Sequence, residues 1–235
     1  MGSPRRLPHL LSPNASSNHN SRPVQGRKLP AGIAAHWDVV PDDLLACYED
    51  IVELDTTAAK GLRAHHAIDD MQASIESRLE TLGRLCKDFG VAAECSRLAA
   101  FICCYTSYVE VWKNFLIPCR CASLLSDALA SSFDDPTWIK RRDLQLWLVL
   151  VGSCTAMLDQ GHLEHLKSSY DILVRRIINT VSTWPWAQIS LQRALRDFIY
   201  PETLFHQHQD NREWLRLVAS IGSCAAFAAP DDPHT

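Results

Sequence analysis

The run Leu144-Gln145-Leu146-Trp147-Leu148-Val149-Leu150-Val151-Gly152, continued by Ser153-Cys154-Thr155-Ala156-Met157-Leu158, limits what this chain can fold into more than any other stretch. Wound as a helix it is apolar on almost every face, so other helices must cover it on all sides. It includes Gln145 and falls short of the roughly 20 residues a bilayer span needs. It therefore reads as the central element of an all-α domain in a soluble protein that makes no membrane contact.

The segments around it carry the stripes that such a helix needs as neighbours. Pro41, followed by Asp42 and Asp43, suits the opening of a helix whose stripe is Leu44, Tyr48, Ile51 and Val52. Ile68, Met71, Ile75, Leu79, Leu82, Cys86 and Phe89 follow at spacings of three and four, which predicts one helix stopped by Gly90. A third stripe runs from Val91 to Trp112 and ends before Pro118, and Leu124 to Leu129 give a shorter fourth. Asp135-Pro136 reads as a cap and first helical position leading into the central helix, and Gly161 separates that helix from the stripe Leu163 to Val181. Pro185 opens a further helix through Phe198 that Pro201 ends, and a last one spans Asn211 to Ser220. No strand alternation, hairpin signal or fixed-period repeat competes with this pattern. The expectation is a single all-α domain of about seven to nine helices around a buried central one.

With 235 residues and 47% hydrophobic content, the chain can bury one sizeable core. Residues 1–35 hold five prolines among Ser, Asn and Arg, a composition that reads as a disordered tail. The domain is expected over 36–222, with a C-terminal tail at 223–235. Charge is divided unevenly: residues 1–30 carry Arg5, Arg6, Arg22, Arg27 and Lys28 and no acid, leaving 18 basic against 27 acidic side chains in the rest. An acidic body repels phosphate, so the folded part is not expected to bind nucleic acid directly. Arg5, Arg6, Arg27 and Lys28 are the candidate phosphate or nuclear-import contacts, although sparse for either task. The tail is also Arg-rich, Ser-rich and acid-free, but its prolines disfavour the amphipathic helix of a mitochondrial transit peptide.

Motifs for chemistry are sparse. Nine cysteines with no CxxC pair, several among apolar neighbours, read as small core residues in a reducing compartment. His162 and His165 fall on one helical face but read as a solvated first turn, and Asp69, Asp70, Glu76 and Glu80 read as the solvated side of their helix. No nucleophile elbow or phosphate-binding glycine loop occurs. The seven tryptophans recur on apolar stripes and near helix ends, where packing is the expected use. No catalytic residue, bound cofactor or metal is expected.

Three stretches nevertheless form a recognisable series. Ala67-Ile68-Asp69-Asp70-Met71 precedes Ile75-Glu76-Ser77-Arg78-Leu79; Arg97-Leu98-Ala99-Ala100-Phe101-Ile102 precedes Tyr105 and Tyr108; and Leu146-Trp147-Leu148 runs to Gly152, with Trp184, Trp186, Phe198 and Trp214-Leu215-Arg216 beyond it. In order and spacing these resemble the C-terminal regulatory domain of fungal-specific transcription factors of the zinc-cluster family, over about residues 60–220. The aromatic or arginine landmark that usually follows the glycine has no counterpart in Gly161 to Ser169.

The resemblance implies a helical domain that receives a signal from a small-molecule effector or protein partner and influences RNA polymerase II transcription in the nucleus, with the cytoplasm as the alternative location. In that family zinc belongs to an upstream six-cysteine cluster, which this sequence lacks. Homodimerisation is expected, if anywhere, through Ile68, Met71, Ile75, Leu79, Leu82 and Phe89, a stripe that more often packs inside its own domain. The rival expectation is a helical carrier or enzyme with a hydrophobic small-molecule pocket, for which the sequence offers no aspartate-rich metal motif.

Overall fold

A computed structural model describes residues 28–59, 65–106, 116–158, 164–181 and 197–199. Every regular element among them is helical. Helix α1 spans Ala31–Ala35 and α2 Asp42–Ala59, where Asp42 and Asp43 in the first turn meet the positive end of the helix dipole. Helices α3, His65–Thr81, and α4, Gly83–Phe89, follow, then α5, Val91–Thr106. Helix α6 is Leu116–Ser131, a 3-10 turn covers Pro136–Trp138, and α7, Arg142–Leu158, and α8, Glu164–Val181, complete the series. The helices expected around Trp186 and Trp214 lie outside the described residues, as do Gly161 and the candidate contacts Arg5, Arg6 and Arg27.

Four boundaries differ from expectation, each for a local physical reason. Residues 31–35, assigned to the tail, form α1, because Ile33 is buried and the Gly32 N–H donates to the Asp197 carbonyl from far along the chain. The single helix expected from Ile68 to Phe89 is two. They are kinked at Leu82, where the backbone stays right-handed and the bonds Leu82 N to Arg78 O and Cys86 N to Leu82 O carry the ladder across. The fourth helix begins earlier than the stripe Leu124 to Leu129, and Pro118 sits in its first turn, where the missing N–H removes no ladder bond; residues 107–115, including Trp112 of the third stripe, lie outside the described residues. Asp135-Pro136 opens the 3-10 turn rather than α7 itself. The Asp135 carboxylate accepts the Thr137 N–H at 2.8 Å, and Trp138 is thereby turned into the core.

The expected end of the second stripe is present. Gly90 closes α4 at φ 131°, a conformation L side chains rarely adopt, and its N–H bonds the Cys86 carbonyl at 3.1 Å.

Helix α7 is the buried helix anticipated from the apolar run. Leu144, Leu148, Val149, Leu150 and Val151 are fully buried, and α1, α5, α6 and α8 pack around it. Its polar side chains are paired inside: Gln145 donates to the Phe133 carbonyl at 3.3 Å, and Ser153 and Thr155 bond the carbonyls of Val149 and Val151 one turn back. The axis is shared, however. Helix α5 is flanked by α2, α3, α4, α6 and α7, so α5 and α7 together carry the other helices. The short side chains Ala92, Ala93, Ala99 and Ala100 on α5 are buried and allow that close approach. Among the described residues no helix is long and apolar enough to cross a membrane.

Candidate functional site

The stretches that carry the family resemblance meet on α3, α5 and α7. Arg97 is the joint between the first two. Its guanidinium forms a two-pronged pair with Glu94, both bonds at 2.8 Å, while a third N–H donates to the Leu79 carbonyl of α3 at 3.2 Å and the group lies over the Phe101 ring. One arginine thus satisfies a carboxylate on its own helix and holds the end of the neighbouring one. On α7, Gly152 lies against Tyr170 of α8, and a Cβ there would overlap the phenol. The Tyr170 hydroxyl passes that gap and donates to the Ala122 carbonyl of α6 at 2.7 Å, which locks α6, α7 and α8 together.

A second junction, not visible in local sequence, ties α1 to the start of α7. The His36 ring meets Asp143 at 3.1 Å between Nε2 and Oδ2, and stacks on Phe198 with centroids 6.1 Å apart. Phe198 in turn stacks on Trp147 at 5.3 Å, and the Trp147 indole N–H donates to the Ile199 carbonyl at 2.9 Å. Tyr48 of α2 meets the same indole edge-on. Burial pushes the Asp143 carboxyl up, but the hydrogen bond and charge of His36 and the backbone N–H groups of Leu144 and Asp143 outweigh it and hold the carboxyl below its ordinary range. Chemically this is an oriented imidazole–carboxylate pair sealed by aromatic rings. It pins helix ends, and among the described residues the imidazole bonds no further side chain.

The candidate partner stripe divides. Ile68, Ile75, Leu79 and Leu82 are buried in the chain's own core and Met71 packs partly against it, whereas Phe89 at the end of α4 is exposed. Lys28 is exposed. Of the acidic set, Asp69, Asp70 and Glu80 point to solvent, and Glu76 accepts a bond from Gln72 at 2.8 Å. His165 is exposed, and His162 lies outside the described residues. Among the described residues no three His, Cys, Asp or Glu side chains are grouped to hold a metal ion. Burial raises the thiols of Cys95, Cys103, Cys104 and Cys154, and those of Cys86 and Cys121 to about 11, so these side chains are protonated fillers at neutral pH. Trp138 and Trp147 are buried and Trp37 is half exposed.

Compared with known proteins, the chain matches no family model, and no curated protein or solved structure shows similarity to it. The class defined by its own geometry is an all-α protein built on a buried helix pair.

Proposed function

We propose that this chain is the regulatory domain of a fungal-type transcription factor, influencing RNA polymerase II transcription in the nucleus, with no six-cysteine DNA-binding cluster among these 235 residues. The observation that supports it most is the meeting of the three resemblance-bearing stretches. Arg97 ties the second to the first through the Leu79 carbonyl, and α5 carries the second directly against the third on α7. The acidic balance of residues 31–235 fits a module that acts through proteins or small effectors rather than through phosphate contacts. The mechanism is a population shift: an effector or partner that binds one arrangement of the helices better biases the whole toward it.

The experiment is to tether the full chain to a heterologous DNA-binding domain upstream of a reporter gene in a fungal cell. The expected result is reporter output displaced from that of the DNA-binding domain alone, with the displacement lost in the Gly152→Val fusion, whose core cannot close. A folded, nuclear wild-type fusion that leaves output unchanged overturns the proposal.

A further inference from the structure

The charge of the described body is not evenly acidic. Helix α2 carries acidic side chains and no basic one, whereas Arg142 at the start of α7 and Arg176 on α8 converge on a single ring, that of the buried Phe133, with exposed Lys140 and Arg175 close to them along the chain. The Arg176 guanidinium lies 4.0 Å from that ring's centroid and the Arg142 guanidinium 5.7 Å. Held on one ring, the two cations stand within about 10 Å of each other, with less side-chain freedom to lose on binding than solvated arginines have.

Their present partners leave capacity for another. Among the described residues Arg142 donates only to neutral oxygens, the Phe133 carbonyl at 3.3 Å and Gln145 Oε1 at 2.6 Å. Arg176 bonds Asp134 at 2.9 Å, but that carboxylate is 84% exposed, so water and other anions compete for the site. The pair also shows that a carboxylate oxygen reaches the Arg176 guanidinium while the cation stays on the ring. Lys140 and Arg175 are exposed, with no carboxylate within ion-pair distance among the described residues. Beside these cations stand two large apolar side chains in water: Ile139, adjacent to Lys140 and 67% exposed, and Ile172, one turn before Arg176 and 58% exposed.

We propose that this face, centred on Phe133 with Lys140, Arg142, Arg175 and Arg176 and flanked by Ile139 and Ile172, docks an acidic segment of a protein partner in which carboxylates alternate with bulky apolar side chains. Guanidinium forks match carboxylates, and the two isoleucines need apolar groups at the same spacing, which a nucleic acid backbone does not present. A long polyanion also meets the acidic remainder of the body, whereas a short peptide engages only the patch. The surface goes beyond the transcriptional reading and stands without it, because binding is read directly and not through a reporter.

The test measures fluorescence anisotropy of a labelled peptide alternating Asp or Glu with Leu or Phe, titrated with the full chain. Its Asn/Gln counterpart, duplex DNA and phosphatidylserine vesicles serve as comparisons. The Lys140→Glu/Arg175→Glu variant removes two side chains that make no ion pair among the described residues, and circular dichroism checks that it folds. Ile139→Ser/Ile172→Ser probes the apolar half. The expected result is salt-sensitive binding of the acidic peptide, weakened by about tenfold or more in the charge-reversed variant and reduced in the isoleucine variant. No binding, equal binding of the uncharged counterpart, undiminished binding by the folded charge-reversed variant, or tighter binding of DNA or vesicles overturns the proposal.

Discussion

At the scale of single residues, Gly152 and Ser96 make opposite predictions. Gly152 leaves the only room for the Tyr170 phenol to reach the Ala122 carbonyl. Gly152→Ala should therefore cost about 2–3 kcal/mol by forcing the ring away and breaking its bond, read as a lower urea midpoint with unchanged slope. Ser96 is fully buried and its hydroxyl has no hydrogen-bond partner among the described residues, while its carbonyl accepts from the Tyr48 hydroxyl at 2.5 Å. Ser96→Ala should be neutral or stabilising by up to about 1 kcal/mol in the same titration, because it removes an unpaired polar atom and leaves the Tyr48 bond in place. A clear loss of stability in Ser96→Ala would show that the hydroxyl has a partner.

At the scale of elements, the His36–Asp143 pair fastens α1 to α7. The folded Asp143 carboxyl is held below its unfolded value, so its contribution is present above the unfolded value, near pH 3.9, and is lost as pH falls through the folded one. Asp143→Asn should cost about 1–3 kcal/mol at neutral pH and flatten the acid limb of the stability profile measured by thermal unfolding. Gly90→Ala should cost about 1–3 kcal/mol, since the α4–α5 joint needs φ 131° there.

How far these elements could be read from sequence depended on the range of the interaction. The stripes of α2, α5 and α8, the buried α7 and the Gly90 stop are local periodicity and local backbone chemistry, and they were legible. The kink at Leu82 interrupts no apolar spacing, so periodicity alone joins α3 and α4. Helix α1 is stabilised by Asp197 and Phe198, and its proline-flanked composition points the other way. The Phe133 cluster joins Arg142 and Arg176 from separate elements, and no local spacing points to it. In the candidate partner stripe, spacing placed the side chains on one face but could not say that the chain's own α2 and α5 cover it.

At the scale of the whole molecule, the core is rich in protonated thiols. Each is raised above the unfolded value of about 8.5–9, so folding stability is fully present below that range. It declines as pH rises from that range up through the folded values, which for Cys86 and Cys121 lie near 11. Equilibrium unfolding should show an alkaline decline starting near pH 9, and thiol reagents should reach these side chains only as fast as the core opens. The same core is organised on α5 and α7, which form one axis on which the other described helices hang. Amide hydrogen exchange on the full chain tests it most directly. The amides of α5 and α7 should exchange slowest and only by global unfolding, with α1 and the outer face of α8 opening earlier. Exchange from α7 as fast as from α8 would contradict it.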